Sequence, residues 1–131
     1  MTPARCRLMP EPKSVSVARA TVRGFLESAG VSDPESAVLL VSELVSNAVV
    51  HPAVAGCPIE VIVDVDRGCI HIEVVDADPR PPVTRTHGVD DEFGRGLLIV
   101  DRLADAWGWA PMADNGKKVW CDVRPRAVST T

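Results

Sequence analysis

Three polar side chains recur every fourth residue within an otherwise apolar stretch, at Glu43, Asn47 and His51. Residues four apart share one face of a helix. The apolar positions around them predict an amphipathic helix with its core stripe at Ala37, Leu40, Val41, Leu44 and Ala48. A carboxylate beside an amide oxygen can hold a hydrated hard cation and supply a base, as a nucleoside triphosphate site requires. A second interpretation is that Glu43 and Asn47 bond to a neighbouring loop and that His51 ends the helix.

Two further features point to the same chemistry. Gly94, Arg95 and Gly96 come directly before an apolar run that begins at Leu97. Glycines allow the backbone to approach a ligand closely, and the free N–H groups at a helix N-terminus bind phosphates. Asp76 ends a run with strand character, where an inward carboxylate can accept a hydrogen bond from the amine of adenine. Each feature also has a purely structural interpretation, because glycines mark ordinary turns and aspartates cap or form them.

Apolar periodicity and turn residues predict the elements that position these side chains. The predicted helices and strands cover 6–9, 14–28, 33–51, 59–65, 69–75, 97–103, 105–110 and 117–123. Ser14 is the expected N-cap of the first helix, and Asp33 with Pro34 is the expected start of the second. The polar segment between Asp76 and Gly94 is interpreted as a loop over the site.

The last two predicted strands form a hairpin that carries all three tryptophans. Trp107 and Trp109 are two residues apart and share one face of their strand, and Trp120 on the returning strand is expected beside them. Stacking of a base on this aromatic surface is one interpretation. Core or subunit packing is favoured, because the chain has no Tyr and only two Phe to fill its interior.

Length and charge limit the classes of protein. A chain of 131 residues with 46% hydrophobic and 24% charged residues is typical of one globular domain, with flexible ends expected at 1–4 and 125–131. The net charge of −4 disfavours nucleic-acid and anionic-membrane binding. Because the sequence contains neither a membrane-spanning run nor a signal-like N-terminus, a cytoplasmic protein is expected. The four scattered cysteines indicate neither a zinc site nor a redox motif.

The order of these features resembles that of the histidine-kinase-like ATPase superfamily. The matching positions are Glu43-Leu44-Val45-Ser46-Asn47-Ala48 on a helix, Asp76 ending a hairpin, Gly94-Arg95-Gly96-Leu97 before a helix, and Gly116 in a final hairpin. Within the superfamily, they are most similar to the anti-sigma-factor serine/threonine kinases of bacterial partner-switching systems. The resemblance extends over about residues 14–123. It implies an α+β fold, a two-layer α/β sandwich with a mixed, mainly antiparallel sheet and helices on one face.

The resemblance also implies ATP and Mg²⁺ as ligands. Asn47 would coordinate the magnesium ion, and Glu43 would act as general base or orient the nucleophile. The positions implied to contact the nucleotide, besides Asn47, are Asp76, Gly94, Arg95, Gly96 and Leu97. Asp76 would read the adenine amine, while Arg95 would add charge near the phosphates. His51 receives no chemical role.

The sequence departs from the family pattern at two places. The adenine motif of the family continues aspartate-x-glycine-x-glycine, whereas Asp76 is followed by Ala77, Asp78 and Pro79. The last motif of the family pairs glycine with threonine, whereas Gly116 is followed by two lysines. These departures predict a changed approach to the base and weak nucleotide affinity.

Two functions remain open. The first is a serine/threonine protein kinase that phosphorylates an anti-sigma antagonist and so regulates a sigma factor by partner switching, with homodimerisation implied by resemblance. The second is a nucleotide-binding module that sequesters a partner without turnover. A metal hydrolase that uses His51, His71 and His87 is disfavoured, because these residues lack ligand spacing.

Overall fold

Five strands and three helices make up the described part of the chain. The computed structural model describes residues 2–50, 56–78, 82, 92–113 and 116–125, with the backbone alone at Val50 and at 92–96. The elements are β1 (Ala4–Leu8), α1 (Lys13–Ser28), α2 (Glu35–Val50), β2 (Ile59–Asp66), β3 (Cys69–Asp76), α3 (Glu92–Leu103), β4 (Ala106–Pro111) and β5 (Lys117–Val123). The order of elements predicted from the sequence is confirmed.

The strands form one sheet in the order β1-β2-β3-β5-β4. Strands β3 and β5 are neighbours although α3 and β4 separate them in the sequence, so the end of β3 lies beside the start of β5, with Asp76 opposite Lys117. The β2–β3 hairpin turns at Arg67 and Gly68, whose φ angles of 52° and 79° suit a type I′ turn. The expected α+β fold is confirmed, and every strand pairing among the described residues is antiparallel.

Alternate strand residues face the helices and form the core. In β5 the buried positions are Lys117, Val119, Cys121 and Val123, and the positions between them are partly exposed. The strand residues pack against apolar side chains of α1, α2 and α3, among them Leu26, Leu40, Val41, Val45 and Val100. Removing this apolar surface from water is the main stabilising contribution. The intervening strand positions form the opposite face of the sheet.

The helix starts differ in how they satisfy their free N–H groups. At α2, Asp33 Oδ1 accepts a hydrogen bond from the backbone N–H of Glu35 at 3.3 Å, as expected for a capping aspartate. At α1 the expected N-cap is wrong: the cap position is Pro12, without a side-chain cap. Ser14 is buried inside the first turn, and its hydroxyl donates to the Met9 carbonyl at 2.7 Å.

Among the described helices, none combines the length and apolar character that a membrane crossing requires.

Helix α3 begins earlier than the sequence predicts. It starts at Glu92 rather than Leu97, so Gly94 and Gly96 lie within the helix and not in a turn before it. Glycine in a helix costs about 1 kcal/mol relative to alanine but does not prevent helix formation. Leu97 and Val100 are fully buried, and such tertiary packing supplies most of the stability of a helix.

The expected cluster of three tryptophans is wrong. In the β4–β5 register, Trp107 is opposite Cys121 and Trp109 is opposite Val119, whereas Trp120 is opposite Gly108. Directly opposite residues share a face, so Trp120 lies on the other side of the sheet from Trp107 and Trp109. Trp107 packs against the core, in agreement with the favoured packing role. Trp120 stacks instead on His71, with ring centroids 6.0 Å apart.

Candidate functional site

Glu43 and Asn47 lie one turn apart on α2, the helix that contacts both other helices and the sheet. Their neighbours Leu44, Val45 and Ala48 are buried, while Glu43 and Asn47 are half-buried. Within the described part of the chain, neither side chain has a hydrogen-bond or ion-pair partner. Burial raises the pKa of the Glu43 carboxyl above its ordinary value. The helix therefore presents a carboxyl and a carboxamide that have no bonding partner among the described residues.

Asp76 occupies the last position of β3, on the face that carries the core. Its side chain lies on the same face of β3 as those of Ile72 and Val74, and it is 8% exposed. Asp76 Oδ1 accepts hydrogen bonds from the Asp78 backbone N–H at 2.8 Å and from Lys117 Nζ at 3.1 Å. Burial nevertheless raises the pKa of Asp76, and it outweighs the opposing effects of that N–H and of the ammonium. The inward orientation expected for this carboxylate is confirmed.

Lys117 is a site residue that the sequence reasoning missed. Its side chain is 9% exposed, and besides Asp76 its ammonium donates to the backbone carbonyl of Asp78 at 3.1 Å. Lysine is seldom buried without an acidic partner. A signal was present in the sequence, because strand alternation places Lys117 on the same face as the apolar Val119 and Cys121.

Gly116 fixes the backbone at the same point. A β-carbon at this position would lie 2.2 Å from the carbonyl oxygen of Asp76 and 3.4 Å from Ala77 Cα. Only glycine allows this close approach, because the obstructing atoms belong to the backbone and cannot turn aside. The glycine predicted in the final hairpin thus packs directly on the strand end that carries the candidate adenine reader.

The structure brings together the elements of the predicted site. Helix α2 contacts both β3, which ends at Asp76, and α3, which contains Gly94, Arg95 and Gly96. Leu97 is 1% exposed, so its side chain belongs to the packed interior. His51 lies outside the described residues, as does most of the segment interpreted as a loop over the site.

The oxygen donors on α2 fit a magnesium ion. Magnesium keeps several water ligands and is usually held by few protein groups together with substrate phosphates. The side-chain oxygen of Asn47 would hold such an ion, and the carboxylate of Glu43 lies one turn away. Magnesium held there would neutralise negative charge on the phosphates.

His71 is engaged in a different arrangement from that of a metal ligand. Its Nδ1 lies 2.5 Å from Asp122 Oδ1, and its Nε2 lies 2.8 Å from Glu73 Oε2. In the described part of the chain, no group of three or more His, Cys, Asp or Glu side chains is arranged to hold a metal ion. The other two histidines of the disfavoured hydrolase, His51 and His87, lie outside the described residues.

The α+β fold, with polar groups on α2 and at the end of β3, fits an ATPase-type domain. The sequence pattern of the family described as histidine kinase-like ATPase domain matches residues 8–122, which is most of the chain. This chain belongs to that family. The comparison with curated proteins gives no match.

Proposed function

We propose that this protein binds ATP with Mg²⁺ and acts as a serine/threonine kinase on a partner protein. The observation that carries the proposal is the pair Glu43 and Asn47, which is half-buried and has no bonding partner within the described chain. Membership in an ATPase domain family supports ATP as the ligand. Without a ligand function, two polar groups beside a packed core gain nothing that offsets their partial loss of hydration.

Each candidate residue has a distinct role in the proposed reaction. A serine or threonine hydroxyl of the partner attacks the γ-phosphorus, so that a new O–P bond forms as the bond to the β-phosphate oxygen breaks and ADP leaves. Glu43 accepts the hydroxyl proton, and Asn47 holds the magnesium ion. Asp76 accepts a hydrogen bond from the adenine amine. In the first turn of α3, the free helix N–H groups and the charge of Arg95 bind the phosphates, and Gly94 and Gly96 allow their close approach.

The first test concerns nucleotide and metal together. ATP is expected to raise the melting temperature of the protein in a magnesium-dependent way, because a ligand that binds only the folded state stabilises it. Asn47→Ala is expected to remove the magnesium dependence. Ser46→Ala, one residue away on α2, is the matched control and should retain it. Unchanged magnesium dependence in Asn47→Ala would reject the assignment of Asn47.

The second test separates the kinase from a silent binder. The protein is incubated with ATP labelled at the γ-phosphate and with candidate anti-sigma antagonist proteins, and labelled serine or threonine is sought. Transfer that disappears in Glu43→Gln supports the kinase, with Glu43 as base. The variant should still bind ATP, because the carboxamide keeps the size of the side chain.

A partner-sequestering module without turnover is the second candidate function. The sequence after Asp76 favours it, because both glycines of the family's adenine motif are missing there. ATP binding with no labelled product against any antagonist would support this candidate. In either case the proposed partner is a sigma factor with its antagonist, and the proposed assembly is a homodimer. Co-purification with a sigma factor and the mass of the assembly in solution test these two points.

A further inference from the structure

We propose that Lys117 reads the base of the nucleotide together with Asp76, by donating a hydrogen bond to N1 of adenine. Asp76 would accept from the 6-amino group next to it. This inference rests on the proposed ATP binding and adds a residue that determines which base is accepted. It concerns a position where the sequence has lysine and the family pattern has threonine.

The bonding of the ammonium leaves one donor available. An ammonium group has three N–H donors. In Lys117 two of them are directed at Asp76 Oδ1 and the Asp78 carbonyl, both at 3.1 Å. Within the described residues the third has no acceptor. Because the side chain is 9% exposed, bulk water has little access to it.

The bonding of the carboxylate is complementary to that of the ammonium. The two groups that donate to Asp76, the Asp78 N–H and Lys117 Nζ, both reach the same oxygen, Oδ1. Within the described residues, Oδ2 has no donor. No fully buried side-chain oxygen or nitrogen there lacks a partner, so Oδ2 is not fully buried. Oδ2 is therefore open to a group that approaches the end of β3. The pair presents one acceptor and one donor side by side.

The adenine edge has the matching pattern. Its 6-amino group is a donor, and N1 beside it is an acceptor, so Asp76 and Lys117 together satisfy both. Guanine in the same pose would place its 6-oxo oxygen against the carboxylate and its N1–H against the ammonium. An acceptor would then face an acceptor, and a donor would face a donor. In a poorly hydrated site, this mismatch is strongly unfavourable. Lys117 thus selects adenine over guanine through N1, independently of the 6-position.

Atom-deleted nucleotides test this without altering the protein. Binding of ATP, 1-deaza-ATP and 7-deaza-ATP to the wild-type protein is measured by calorimetry with magnesium present. We expect 1-deaza-ATP, which lacks the N1 acceptor, to bind roughly tenfold or more weakly than ATP, because hydrogen bonds to charged groups are among the stronger ones. The control 7-deaza-ATP, which retains N1, should bind about as well as ATP.

Variants locate the effect at Lys117. Lys117→Met should bind ATP and 1-deaza-ATP with similar affinity, both weaker than wild type with ATP. Lys118→Met is the matched control, because Lys118 lies on the opposite face of the sheet and should preserve the discrimination. Equal binding of ATP and 1-deaza-ATP by the wild type would overturn the inference, as would tighter ATP binding by Lys117→Met. If the wild type binds no ATP at all, the proposed function fails as well.

Discussion

Gly116 and Asp76 are held so close that a single β-carbon on the glycine would stand 2.2 Å from the aspartate carbonyl oxygen. The two residues are 40 positions apart in the sequence and meet because β5 pairs with β3. The backbone of Gly116 therefore packs against the end of β3, which carries Asp76. Lys117, the residue after Gly116, begins β5 directly opposite Asp76. A change at Gly116 is therefore expected to affect both the stability of the fold and the proposed nucleotide site.

Gly116→Ala is expected to lower the free energy of unfolding by about 1–3 kcal/mol, because the added methyl group forces the two strand ends apart. Urea denaturation measures the change. Gly24→Ala is the matched control: Gly24 lies in α1 with nothing within 4 Å of an added β-carbon, so alanine should stabilise the helix by about 0.5–1 kcal/mol. A loss of stability in the control of the same size as in Gly116→Ala would contradict the steric argument.

The rate of the proposed phosphotransfer should depend on the ionisation of Glu43. A general base acts only when deprotonated, and burial raises the pKa of Glu43 above 4.5. The rate should therefore fall as the pH drops through this raised pKa and reach a plateau above it. In Glu43→Gln the rate should fall by about a hundredfold or more. A variant with the wild-type rate and pH profile would exclude Glu43 as the base.

His71 should make the stability of the fold depend on pH. Burial opposes protonation of the ring, but Asp122 and Glu73 together outweigh it and raise the pKa of His71 above 6.5. Because protonation is easier in the folded state than in the unfolded one, the stabilisation is complete below pH 6.5 and is lost as the pH rises through the folded pKa. Since the side chain is 37% exposed, solvent screening limits the effect to about 1 kcal/mol or less.

The measurement for His71 is a comparison of wild type with His71→Gln by urea denaturation at about pH 5 and about pH 9. The wild type should exceed the variant by more at the lower pH. Subtracting the variant removes the contribution of the other histidines. An equal difference at both pH values would show that the two carboxylates contribute no pH dependence through this ring.

Cys121 should resist thiol reagents in the folded protein. It is fully buried between β3 and β4, and burial raises the pKa of its thiol to about 12. Since the thiolate is the reactive form, alkylation near pH 8 should modify Cys121 only after unfolding. The half-buried Cys57 serves as the internal comparison and should react in the folded state. Peptide mapping by mass spectrometry identifies the modified positions, and rapid labelling of Cys121 would contradict its burial.

Local patterns were sufficient for most of the fold. The capping geometry of Asp33, the turn at Arg67 and Gly68, and the shared helix face of Glu43 and Asn47 each depend on residues within a few positions of one another. Such features follow from backbone geometry and side-chain periodicity alone. Periodicity was less informative for α3, where its buried leucine and valine marked the helix but not its earlier start at Glu92.

The sequence by itself determined the elements, the polar pair on α2 and the resemblance to an ATPase family. Only the tertiary structure decided which side of the sheet Trp120 occupies, and which residue pairs with Asp76. Both depend on strand order and register, which bring together residues that are distant in the chain. A shift of register by one residue reverses every side chain on a strand, so no local pattern could place the Lys117 ammonium beside the Asp76 carboxylate.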